Sequence, residues 1–159
     1  MQLSKNFSLE EMTRSATATS KGISNIPDAI EIARLRALCA DCLQPARDTY
    51  NKPIFINNGF RSAALNKAMG QAGFKVSATS QHMLGEAADI RDADRANNKA
   101  LFDVLFNLGN YDQLIWEDGN DKHPQWIHVS YKINGNRKQI LRMLNGRTTH
   151  RNYDGTNWS

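Results

Sequence analysis

The segment Ser80-Gln81-His82-Met83-Leu84-Gly85-Glu86-Ala87-Ala88-Asp89, answered downstream by Trp126-Ile127-His128-Val129-Ser130-Tyr131, constrains this chain more than any other feature. Two imidazoles and one carboxylate make a ligand set for one zinc ion, with a fourth position left for water. Structural zinc sites close on four Cys or His ligands, whereas a His/His/carboxylate set leaves the metal able to activate water near neutral pH. A fold that serves His82, Asp89 and His128 must therefore bring a turn and two extended segments to one point. Each residue alone has an ordinary alternative: His82 can cap a turn, Asp89 can be a surface charge, and His128 can be a strand histidine with satisfied hydrogen bonds. Together, with small residues between them, they point to hydrolytic metal chemistry. Gly85, Ala87 and Ala88 let the backbone fold tightly round a ligand sphere, and the apolar run into Ile90 fixes Asp89 on a short strand.

Mixed α and β patterns surround that segment. Ser8, with Glu11 three residues on, opens a short helix over residues 7–13 as a capping box. The longest helical pattern runs from Pro27 to Tyr50, with Ile30, Ala33, Leu35, Leu38, Cys42 and Leu43 at helical intervals and Pro45 expected to kink or break it. Lys52 to Asn57 reads as a strand ended by an Asn-Asn-Gly turn, which places Arg61 at the lip of a cleft, and Ala63 to Met69 as a short helix. Residues 70–79 form a loop, Ala93 to Leu108 a helix with Leu101, Val104 and Leu105 inward, and Gln113–Glu117 with Trp126–Ser130 a hairpin. Residues after Asn145 are polar and glycine-containing, so 146–159 is expected to be a mobile tail behind a single domain of residues 1–145.

At 159 residues the chain can bury one continuous core without staples. The two cysteines, Cys39 and Cys42, lie within a helical pattern with no second pair, so they read as free thiols facing the core rather than as half of a zinc site. A net charge of +4 and a pI near 9.2 favour an anionic partner. The basic residues are scattered without interleaved aromatics, which argues against nucleic acid. No apolar run has the length of a signal peptide or a membrane span. The expectation is a monomeric protein made in the cytoplasm, which reaches any target outside it by a pore or by carriage in a particle.

The pattern S-x-H-x-x-G-x-A-x-D followed by a W-x-H strand resembles the M15 family of zinc D-Ala-D-Ala carboxypeptidases and L-Ala-D-Glu endopeptidases. The resemblance extends to Ile56-Asn57-Asn58-Gly59-Phe60-Arg61-Ser62 and to Phe7-Ser8-Leu9-Glu10-Glu11-Met12. It implies an α+β fold of the hedgehog/DD-peptidase type, a small antiparallel sheet with flanking helices. It also implies one zinc per chain on His82, Asp89 and His128, and peptidoglycan stem peptide as the substrate. Short one-domain members of this kind occur among phage endolysins and prophage wall hydrolases. The resemblance further implies that Arg61 binds a substrate carboxylate or polarises the scissile carbonyl, and that Ser80 hydrogen-bonds substrate. Trp116 and Trp126 either wall the cleft or pack in the core.

Many members of the M15 family that this chain resembles place an acid three residues before the last zinc histidine, and here that residue is Gln125, whose amide cannot take a proton from water. Gln125 is left as a substrate contact, and the base must lie elsewhere or conventional catalysis is lost. If Glu117 pairs opposite Trp126 across the hairpin, period-two geometry puts its side chain on the face of His128, making it the preferred base. Asp121 and His123 are alternatives on the connecting loop, and His123 could instead stabilise an oxyanion. Two non-enzymatic alternatives remain beside the peptidase: a zinc-containing domain that only binds wall, and a structural domain of a virion.

Overall fold

The computed structural model describes residues 1–159. Helices α1 (Leu9–Thr13) and α2 (Ala16–Lys21) open the chain, and α1 carries the expected capping box, with Ser8 and Glu11 satisfying each other's backbone N–H groups. The long helical pattern becomes α3 (Ala29–Ala37), a π-helical turn over Leu38–Leu43, and α4 (Gln44–Tyr50). The regular α pattern is thus interrupted just before Pro45, where a kink or break is expected from sequence, and the chain stays helical beyond it. A proline lacks an N–H and its ring clashes with the carbonyl four residues earlier; the wider turn just before it accommodates both, and Pro45 falls in the first turn of α4. The π-turn also turns Leu38, Cys39, Cys42 and Leu43 inward together, so both thiols are free and buried. Ile30, by contrast, is 64% exposed and takes no part in the core.

Strand β1 (Phe55–Asn58), helix α5 (Ala63–Gln71), a 3-10 turn (Gln81–Leu84), β2 (Ala87–Arg91), helix α6 (Asn98–Leu108) and the strands β3 (Gln113–Glu117) and β4 (Trp126–Ser130) follow. The sheet is larger than the hairpin expected from sequence. Two more strands, β5 (Gln139–Leu144) and β6 (Arg147–His150), extend it to six in the order β1-β2-β4-β3-β5-β6. All neighbours are antiparallel except β3 and β5.

Alternation along the strands gives the sheet two unlike faces. Ala88, Ile90, Leu114, Trp116, Ile127 and Val129 are almost fully buried on one face and join the core with Leu38, Leu43, Leu101, Phe102 and Leu105 from the helices. Asp89, Ile115, Glu117, Trp126 and His128 face the other way, onto a cleft. Trp116 is therefore a core residue and Trp126 a cleft residue.

The segment 146–159 does not behave as a loose tail. Beyond β6, Tyr153 is buried against Phe102 and Phe106, and Trp158 stacks near Tyr153 with ring centroids 4.8 Å apart. The Tyr153 hydroxyl donates to Asp103 at 2.7 Å. Isolated aromatics in polar sequence carry no periodic signal, which is why this packing is invisible before the fold is known.

Candidate metal centre and cleft

Two of the three metal-facing residues are positioned by the sheet itself. The β2–β4 ladder pairs Asp89 directly with His128, putting both side chains on the cleft face, where His128 Nδ1 lies 3.1 Å from Asp89 Oδ1. His82 comes from outside the sheet, on the 3-10 turn. The Ser80 hydroxyl caps that turn by accepting from the His82 N–H at 3.3 Å, and Gly85 ends it at φ +72°. Only glycine fits there, since a Cβ would lie 2.6 Å from the Glu31 carbonyl oxygen. His82 is 2% exposed, its Nε2 is 3.5 Å from Asp89 Oδ1, and the two imidazoles meet edge to face at 5.2 Å.

The donor set fits one small divalent cation. One ligand atom from each of His82, Asp89 and His128 lies within 4.8 Å of the others. His82 Nδ1 is 2.7 Å from the Gly59 carbonyl; a carbonyl only accepts, so that nitrogen carries the proton and Nε2 keeps its lone pair for a metal. Asp89 Oδ2 accepts from Asn58 at 3.3 Å, leaving Oδ1 to the histidines. Burial raises the Asp89 carboxyl pKa, but the adjacent imidazoles outweigh it and hold the group well below the usual carboxylate range. Asn58 reaches this position through a β-bulge, because Ile56 pairs with Ile90 while Asn58 pairs with Asp89. The sequence signals Asn57-Asn58-Gly59 as a turn and gives no hint that Asn58 supports a ligand.

A cleft of about 1670 Å³ surrounds this cluster and is lined by Arg61, Ser80, Glu117 and Trp126 among others. Glu117 pairs with Trp126 in the β3–β4 ladder, as the hairpin geometry requires, and its side chain shares the face of His128. Burial pushes its carboxyl up to about 7; His128 opposes that shift, while Asp89 and Asp118 add to it. Arg61 is half-buried, its Nε has no hydrogen-bond partner, and Nη1 touches only the Met69 sulfur at 3.9 Å. Burial lowers its pKa and Asp89 opposes that. A guanidinium with no carboxylate partner, set beside the cluster, leaves donors free toward the cleft.

Three other sequence candidates lie apart from the cleft. Gln125 lies at the bend just before β4, outside the strand, and its side chain does not line the cleft. With its amide oxygen toward Arg95, it accepts from the two guanidinium nitrogens at 2.5 and 3.2 Å. Asp121 is solvent-exposed and pairs with Arg142 at 2.7 Å, and His123 sits in the 118–125 loop; neither lines the cleft. Of the three groups considered as base, only Glu117 does.

The sequence profile of the family described as Peptidase M15 matches residues 5–130, most of the chain, a span that includes Arg61, His82, Asp89, Glu117 and His128. The chain belongs to the peptidase M15 family. It is therefore a metallopeptidase of a zinc-dependent class acting on peptides, and its His82–Asp89–His128 cluster is suited to hold the metal. Among curated proteins, no relative matches this M15 chain. None of its helices is long and apolar enough to cross a membrane.

Proposed function

We propose that the protein hydrolyses an amide bond in the stem peptide of bacterial peptidoglycan, as a D,D-carboxypeptidase or an L,D-endopeptidase, in the setting of phage or prophage lysis. The observation that carries this is the convergence on one cleft of the His82–Asp89–His128 cluster, the unpartnered Arg61 guanidinium and the Glu117 carboxyl. His82, Asp89 and His128 would hold the zinc, which when bound would supply Lewis-acid activation of water and polarisation of the scissile carbonyl. Glu117 removes a proton from the attacking water and returns it to the leaving nitrogen as the C–O bond forms and the C–N bond breaks. Burial raises its carboxyl pKa in the metal-free fold, which makes the carboxylate a stronger proton acceptor than an exposed one. Arg61 binds the carbonyl oxygen as negative charge develops, or a nearby substrate carboxylate that fixes the scissile bond. Trp126 forms part of the cleft wall against which peptide lies. The size of the cleft supports a substrate of several residues, and the net charge of +4 supports an anionic wall.

The test is digestion of purified peptidoglycan with and without a chelator, zinc being restored afterwards and fragments identified by mass. Chelator-sensitive release is the expected result, and the fragment masses name the bond. No release from several wall types, despite one bound zinc per chain, would replace the peptidase with a zinc-containing wall-binding or virion structural domain.

A further inference from the structure

Asp89 and His128 are locked together by a backbone ladder, but His82 stands on a four-residue turn that belongs to no strand. Its geometry relative to the other two depends on whatever braces that turn. Gln81, the neighbour of His82, points its amide Nε2 at two buried acids, 3.1 Å from Asp112 Oδ2 and 3.4 Å from Glu86 Oε2. An amide nitrogen has two hydrogens and can serve both. Each acid is anchored in turn. Asp112 is 0% exposed and accepts from the Arg137 backbone N–H, Nε and Nη2, the last at 2.6 Å. Glu86 faces Arg34 Nε at 3.5 Å.

The backbones of the same residues join the turn to the strand of His128. Glu86 N–H donates to the Gln81 carbonyl at 3.0 Å, and the Glu86 carbonyl accepts from Tyr131, just past β4, at 2.8 Å. Asp112 N–H donates to the Ser130 carbonyl at 2.7 Å. The amide of Gln81 thus ties the turn to the junction of β3 and β4. We infer that Gln81 is a positioning residue for the metal: through Asp112 and Glu86 it fixes the 3-10 turn so that His82 Nε2 meets Asp89 and His128 in one coordination sphere. Neighbouring polar contacts of this sort set the orientation of a ligand, and their loss typically weakens metal binding by about 10- to 100-fold.

The inference rests on the metal centre and is independent of which peptide is cut, so a failed wall digestion leaves it standing. Gln81→Met keeps the length of the side chain and removes both donations. The measurement is zinc affinity by competition with a chromogenic chelator, with the visible spectrum of the cobalt-substituted protein and the circular dichroism and melting of the metal-free protein alongside. The expected result is a zinc dissociation constant raised about 10- to 100-fold and an altered cobalt spectrum, with native metal-free structure retained. If Gln81→Met does not fold, Gln81→Asn carries the same test, since it keeps an amide but withdraws it by one methylene. Wild-type affinity and spectrum in the folded variant overturn the assignment. So does a loss of affinity that in both variants accompanies loss of native metal-free structure.

Discussion

Glu117→Gln separates catalysis from stability in a way that few substitutions do. The glutamine is nearly isosteric and cannot take a proton from water, so turnover should fall by at least about a hundredfold, or roughly 2.7 kcal/mol of barrier. The same change should stabilise the metal-free protein at neutral and alkaline pH. The Glu117 carboxyl titrates at about 7 in the fold against 4.5 for an unperturbed group. A group whose pKa is raised by folding contributes stability that is complete below its unfolded pKa and lost as pH rises through its folded one. Wild type and variant should therefore melt alike near pH 4, diverge between about 4.5 and 7, and differ by a constant amount above that. Two and a half pH units at 1.36 kcal/mol each set an upper figure of about 3 kcal/mol, or roughly 6 to 12 °C in melting temperature for a chain of this size. Zinc beside the carboxylate should shrink the gap, because a nearby cation favours the ionised form. The assays are thermal melts from pH 4 to 9 in chelator and peptide hydrolysis with zinc restored. Parallel melting curves at every pH, or turnover within threefold of wild type, would refute the placement of Glu117 as a buried base.

Arg61→Ala should lower kcat/KM by about 100- to 1,000-fold, the range for losing one donor to a developing oxyanion, with zinc affinity unchanged by chelator competition. Ending the chain after Asn145 removes β6, Tyr153 and Trp158; at about 3 to 5 kcal/mol for each large core aromatic, melting should drop by more than 10 °C or folding should fail, as calorimetry would show. Gly85→Ala places a Cβ 2.6 Å from the Glu31 carbonyl oxygen at a positive φ, so it should destabilise the fold by about 2 kcal/mol or more and weaken zinc binding, read by urea melts and metal titration.

The metal centre was legible because its residues sit where local pattern dictates geometry. His128 and Glu117 lie on strands with clean alternation, and the pairing of Glu117 with Trp126 follows from where those strands end. What stayed hidden depends on contacts distant in sequence. Asn58 needs a bulge to reach Asp89, Gln81 needs acids five and thirty-one residues away, and β5 pairs in parallel with β3 across a long connection. Pro45 was legible as the place where the α pattern is interrupted; that the interruption is a π-turn rather than an end of the helix was not.

The pairing of β5 with β3 has a consequence for how such a chain can diversify. Every group assigned to the chemistry precedes residue 131, yet Met143, Asn145 and Gly146 supply one wall of the cleft. Asp118, next to Glu117, accepts from the Asn145 N–H at 2.7 Å, and Lys75 from the opposite bank donates to the Asn145 carbonyl. One crossover in the coding sequence just past residue 130 would exchange that wall while leaving the metal ligands untouched. Chimaeras joined there should take their metal ligands from one parent and this wall of the cleft from the other, and should keep zinc affinity where the second parent also supplies the arginine at 137 that anchors Asp112.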